Sequence, residues 1–145
     1  MRETSQDLIN EADILDIFCE DFDLKWAKLG NGGKYRIDAV LFRDTTIKAW
    51  VEVKDYKRRL FLGLNAAKYK EGCDLAILSK IPFLLIFRYE SRVGYVVAHN
   101  GTEFDCSVEL RMAGGTPKGR EPLPDDFEPI FIFSKKQIKW LEKKT

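Results

Sequence analysis

The chain has 145 residues, 45% of them hydrophobic and 32% charged, with a formal net charge of +1 and three widely spaced cysteines, Cys19, Cys73 and Cys106. Such a chain reads as one globular domain with enough length to bury a core; no apolar run is long enough to span a bilayer, and the acidic N-terminus lacks the cationic, apolar layout expected of a signal peptide. The odd, widely spaced cysteines suggest neither a disulfide framework nor a zinc site, the single histidine, His99, offers no zinc-type or histidine-based catalytic cluster, and the expected setting is reducing, intracellular and cytoplasmic.

Residues 5–22 place Leu8, Ala12, Leu15, Phe18, Cys19 and Phe22 on one stripe at helical spacing. Asp13, Asp16 and Glu20 fall away from that stripe. Glu11 does not: it lies among Leu8, Leu15 and Phe18, with Asp7 at the stripe's edge, although a boundary residue reaching back to water would sit there too. The first 24 residues hold eight acidic side chains against Arg2, a net charge of −7 that leaves about +8 for the remainder.

Tyr35 to Lys54 reads as a β-hairpin. Tyr35, Ile37, Ala39 and Leu41 on one arm, and Ile47, Ala49, Val51 and Val53 on the other, alternate as a core face. The opposite face carries Val40, Phe42 and Trp50 together with Asp38, Glu52 and Lys54. A three-residue loop, Asp44-Thr45-Thr46, pairs Arg43 with Ile47 and sets Asp38 opposite Glu52, with Cβ atoms roughly 5 Å apart. A two-residue loop slips the pairing by one and sends the aspartate to the other face. In the first register, two carboxylates and a lysine meet where one hard divalent cation can bridge them. Such carboxylates are costly to bury unless paired or metal-bound. The plainer alternative is a cross-strand ion pair on a solvated face.

Lys54, Lys57, Arg58 and Arg59 form a basic cluster that continues from the hairpin, and Arg36, Lys34, Lys68 and Lys70 can extend it. Beside a metal site such charge suits a phosphate backbone; a solvated basic loop is the competing reading. Arg59 to Glu71 reads as a helix ended near Gly72, with Leu60, Leu64 and Ala67 inward. Asn65 and Tyr69 share a face of that helix, positioned either to meet phosphate or to pack at the core edge. Cys73–Leu78 reads as a short strand or the end of the helical unit. Pro82–Tyr89 reads as a strand buried on both sides and Gly94–His99 as its partner, with His99 as a polar strand end. A Gly/Pro-rich loop covers 113–129, a last strand 129–133, and Ser134 caps a short basic helix over 135–144.

Asp38, followed after thirteen residues by Glu52-Val53-Lys54, resembles the active-site motif of the PD-(D/E)XK nuclease superfamily, the restriction-endonuclease-like fold. The likeness extends over about residues 5 to 100 as an order of elements: helix, hairpin, helix, further strands. Ile37 stands where the family name has proline. The resemblance implies an α/β fold with a central mixed β-sheet flanked by helices. It also implies Mg²⁺ or Mn²⁺ held by Asp38, Glu52 and the Val53 carbonyl, with Lys54 orienting the attacking water. Many members add a glutamate from the first helix, for which Glu11 is the candidate. Some branches carry a Gln-x-x-x-Tyr pair in the second helix, loosely echoed by Asn65 and Tyr69. The implied activity is metal-dependent hydrolysis of DNA, with RNA as the alternative substrate. Small members include Holliday junction resolvases and phage-type nucleases, which implies a structure-selective endonuclease working as a homodimer. The rival expectation is a catalytically inactive nuclease-fold module that binds nucleic acid or a protein partner.

Overall fold

The structure, a computed structural model, describes residues 5–29, 37–101, 107–112, 119–121, 123–124 and 127–144. Arg36, Lys34 and Cys106 lie outside these, as does most of the 113–129 loop. Among the described residues no helix is long and apolar enough to cross a membrane.

Helix α1 (Ser5–Phe22) follows the expected stripe. Leu15, Phe18 and Cys19 are buried, while Leu8 and Phe22 are more than a third exposed at the two ends. Ile14, outside the expected stripe, is wholly buried, so the packed face is broader than the periodicity indicated.

A six-stranded mixed sheet receives this helix. Its strands are β1 (Lys25–Lys28), β2 (Ala39–Arg43), β3 (Thr46–Tyr56), β5 (Phe83–Tyr89), β6 (Arg92–His99) and β9 (Lys139–Lys144), in the order β1-β2-β3-β5-β6-β9. Only β3 and β5 run parallel; the other neighbours are antiparallel. A second sheet of three strands, in the order β4-β8-β7, joins β4 (Gly63–Asn65), β7 (Ser107–Met112) and β8 (Phe127–Ile132). Helix α2 (Ala66–Ser79) follows β4 directly.

The large sheet divides the core in two. On one face, α1 buries Ile14, Leu15, Phe18 and Cys19 against Ala39, Leu41, Ala49, Val51, Val53 and Ile86. On the other, Tyr69, Cys73 and Ala76 of α2 meet Phe83, Leu85, Phe87, Val96 and Ala98. Strand β5 feeds both clusters and is buried from Phe83 to Phe87, as a strand covered on both faces should be. Its turn to β6 holds only Glu90 and Ser91, both at positive φ, the geometry of a tight hairpin. Gly94 therefore lies inside β6, where an added Cβ would come within 2.9 Å of the Trp140 ring.

Four expectations need correction. The second helix does not begin at Arg59. Leu60, Leu62 and Leu64 alternate into one cluster as an extended segment, and Asn65 is the cap, its side chain accepting from the Lys68 amide at 2.9 Å. Nor does that helix end at Gly72; it runs through Cys73–Leu78 to Ser79 and closes on Lys80 in the left-handed region at φ 58°. The glycine is there for packing, since a Cβ at Gly72 would lie 2.1 Å from the Phe83 ring. Finally, 135–144 is not a helix. Ser134 does cap, in a capping box with Gln137, but only a single 3-10 turn (Lys135–Gln137) follows. Trp140 then packs in one core cluster and Leu141 in the opposite one, and only a strand sends adjacent residues to opposite faces. Strand β8 also begins at Phe127, inside the expected loop.

The Gly72 contact gives a test of the corrected helix. Gly72→Ala should lower the stability measured by urea denaturation by about 1–3 kcal/mol, because the fully buried Phe83 ring must shift. An unchanged midpoint would contradict that packing.

Candidate metal and catalytic site

The hairpin reaches the register that sets Asp38 beside Glu52, but by another route. Arg43 pairs with Thr46 across a two-residue turn, with Asp44 at φ 53°, and Phe42 pairs with Ile47. A β-bulge then absorbs Lys48, so that Leu41 faces Ala49 and Ala39 faces Val51. The extra residue cancels the slip that the short turn introduces.

Beyond Ala39 the two strands part. The Asp38 amide still donates to the Val51 carbonyl at 3.0 Å, but the Val53 amide donates to Asp38 Oδ2 at 2.8 Å instead of to a backbone carbonyl. A side chain has replaced the next rung of the ladder. Backbone groups of successive strand residues point to opposite edges, and the amide of Trp50, three residues away, donates the other way, to Pro82 beside β5. The Val53 carbonyl therefore faces the same edge as its amide, toward the gap left by β2.

Glu52 is wholly buried and Asp38 is 9% exposed. Glu52 Oε2 takes Lys68 Nζ at 2.5 Å and has Lys54 Nζ at 3.9 Å. Glu52 Oε1 is buried with no hydrogen-bond partner among the described residues. Burial, and then the neighbouring Asp38 carboxylate, push the Glu52 pKa up to about 8 against the opposing pull of Lys68 and Lys54. Burial alone would lower Lys68, but Glu52 outweighs it and holds the ammonium above its ordinary value, with smaller help from Asp38 and Glu11. On the same face of β3 the Tyr56 hydroxyl is also buried and unpartnered among the described residues, its pKa raised by burial and then by Glu52.

The other expected residues divide. Glu11 is half-buried on α1 and close enough to act on Lys68, while its carboxylate takes Lys28 Nζ at 3.1 Å. Among the described residues it does not complete a group of three metal-ligating side chains with Asp38 and Glu52. Arg58 and Arg59 are exposed after β3. Lys57 is exposed too, but bonds Asp55 at 2.8 Å. Asp55 also takes a two-pronged contact from Arg88, which reaches Asp13 of α1 at 2.5 Å and so ties that helix to the ends of β3 and β5. A cleft of about 290 Å³ opens there, lined by Asp55, Tyr56, Lys57, Arg88, Glu90 and Ser91, and includes neither Asp38 nor Glu52. Asn65 is occupied as the α2 cap. Tyr69 packs in the core, the second of its two expected placements: it is 5% exposed and its ring stacks on Phe131 at 4.1 Å. His99 ends β6, buried, with Nδ1 accepting from the Gly101 amide at 2.9 Å.

Lys68 is the site residue that the sequence reading placed only in a general basic patch. Its signal was the Asn65 cap, which sets Lys68 in the first turn of α2. There the Cβ tilts back toward the helix N-terminus and the strand that precedes it.

The donor set suits a hard divalent cation. Two adjacent carboxylates, a buried Glu52 oxygen without a partner among the described residues and a carbonyl at an open strand edge all offer oxygen donors. Mg²⁺ takes few of these from the protein and keeps several waters. No family model matches the chain and no curated protein is similar to it in sequence.

The buried carboxylate carries a pH signature. Between the ordinary value of 4.5 and about 8, folded Glu52 keeps a proton that the unfolded chain has released. The unfolded state binds fewer protons there, so stability falls as pH rises through that window. Without metal, urea midpoints should drop between pH 5 and pH 9 by an amount worth, on the order of magnitude, a few kcal/mol, and Glu52→Gln should flatten the drop. A wild-type midpoint independent of pH would contradict the burial argument.

Proposed function

We propose that the chain is a Mg²⁺- or Mn²⁺-dependent nuclease of the PD-(D/E)XK kind, a restriction-endonuclease-like fold that hydrolyses the phosphodiester backbone of DNA. The observation that carries this reading is the meeting of Asp38 with Glu52 where β2 leaves β3, with one oxygen of Glu52 buried and without a hydrogen-bond partner among the described residues. Asp38, Glu52 and the Val53 carbonyl would hold the cation. When bound, it supplies a lowered pKa for water and charge stabilisation for the attacked phosphate. The rest falls to the chain. Lys54, whose side chain is 38% exposed, can reach outward to hold the attacking water and to neutralise phosphate charge. Burial of Glu52 keeps bulk water from competing for its oxygens. Arg58 and Arg59 lie exposed just beyond β3, where they can meet flanking phosphates.

A junction-cutting homodimer is the narrower proposal and rests on the family resemblance alone. The exposed basic residues after β3 also fit the rival reading, a module that binds nucleic acid without cutting it.

Cleavage of labelled linear duplex, single-stranded and four-way-junction DNA separates the two. With Mg²⁺ or Mn²⁺ the wild type should cut at least one of these, and Lys54→Ala should lose about a hundredfold or more of the rate. Salt-sensitive binding without cutting would favour the inactive module. Undiminished cutting by Lys54→Ala would remove the lysine from the mechanism.

A further inference from the structure

The two ammonium groups beside Glu52 are not equivalent. Lys68 Nζ sits 2.5 Å from Oε2, within hydrogen-bond distance, whereas Lys54 Nζ at 3.9 Å is not. Lys68 also comes from a fixed place. Its amide is held by Asn65 Oδ1 at 2.9 Å in the first turn of a helix whose next residue, Tyr69, is locked against Phe131 and buried. Lys54 stands on the strand itself, more open to solvent, with its side chain 38% exposed against 31% for Lys68.

The consequence lies in which oxygen is left over. A carboxylate can turn about its terminal bond with little torsional preference, so burial alone does not decide which oxygen points where. Lys68 decides it by binding Oε2, and the unpartnered oxygen is then Oε1. An ammonium is all donor and cannot ligate a metal, so it does not join the coordination set. It acts one bond away, on the ligand's orientation, as partners behind metal ligands commonly do.

Resting on the nuclease reading above, we propose that Lys68 is a positioning residue for the cation. Its ammonium pins Glu52 by Oε2 and thereby presents Oε1 to the metal, leaving Lys54 to serve water and phosphate. The two lysines then have separable duties. Removing Lys68 should weaken metal binding, whereas removing Lys54 should spare binding and slow cutting.

Calorimetric titration of Mn²⁺ alone into wild type, Lys68→Met, Lys68→Arg and Lys54→Met tests this without relying on activity. The expected result is a dissociation constant raised about tenfold or more in Lys68→Met, recovered in large part by Lys68→Arg and little changed in Lys54→Met. If Lys68→Met melts too low to titrate, Lys68→Leu, which likewise removes the donor, carries the same expectation. Wild-type affinity in the Lys68→Met protein would overturn the proposal, and so would tighter binding, which would mean that the ammonium competes with the cation. Metal binding with the expected pattern but no cleavage of any DNA would sink the nuclease reading and leave the positioning role standing. No Mn²⁺ binding by wild type or variants would overturn both.

Discussion

The site depends on one exchange of hydrogen-bond partners, the Val53 amide giving its proton to the Asp38 carboxylate where a sheet would offer a backbone carbonyl. A buried strand amide cannot go unpaired, so β2 could leave β3 only if something else accepted that bond. Asp38 does so while its own amide stays on Val51, which holds its carboxylate at the gap. The same parting of strands turns the Val53 carbonyl toward the opening and lets Asp38 stand next to Glu52. Upstream, the bulge at Lys48 keeps this register; without it the short turn would carry Asp38 out of step with Glu52.

Around that gap the core walls do the rest. Cover on both faces of the large sheet leaves Glu52 without solvent, and a carboxylate so placed resists ionisation. Lys68 offsets part of that cost from the α2 side, on the layer opposite α1. On the α1 side, Arg88 spans Asp55 and Asp13 and fixes the helix that carries Glu11. The result is two adjacent carboxyl groups with one close ammonium. A divalent cation would relieve both the repulsion between the acids and the unpartnered Oε1.

Much of this was legible in the sequence because short-range periodicity carries it. The α1 stripe, the alternation through β3 and the doubly buried β5 are all local patterns, and they place Glu52 and Lys54 on β3, with Asp38 just before β2. What local pattern could not supply was long-range. The two-residue turn and its bulge give the same net register as a three-residue loop, so the sequence cannot distinguish them. Gly72 looks like a helix stop until Phe83 is brought against it from β5. Trp140 and Leu141 look helical until two separate cores claim them. Lys68 reaches Glu52 only once Asn65 is seen as a cap, and that in turn depends on β4 pairing with β8 far along the chain.

The central claim is that a divalent cation binds between Asp38 and Glu52 at the parting of β2 and β3. Anomalous diffraction from crystals soaked in Mn²⁺ tests it most directly. The account predicts a single strong peak within ligand distance of Glu52 Oε1 and the Asp38 carboxylate, on the side of the Val53 carbonyl. A well-occupied peak elsewhere, or none there at a Mn²⁺ concentration that saturates the protein in solution, would contradict it.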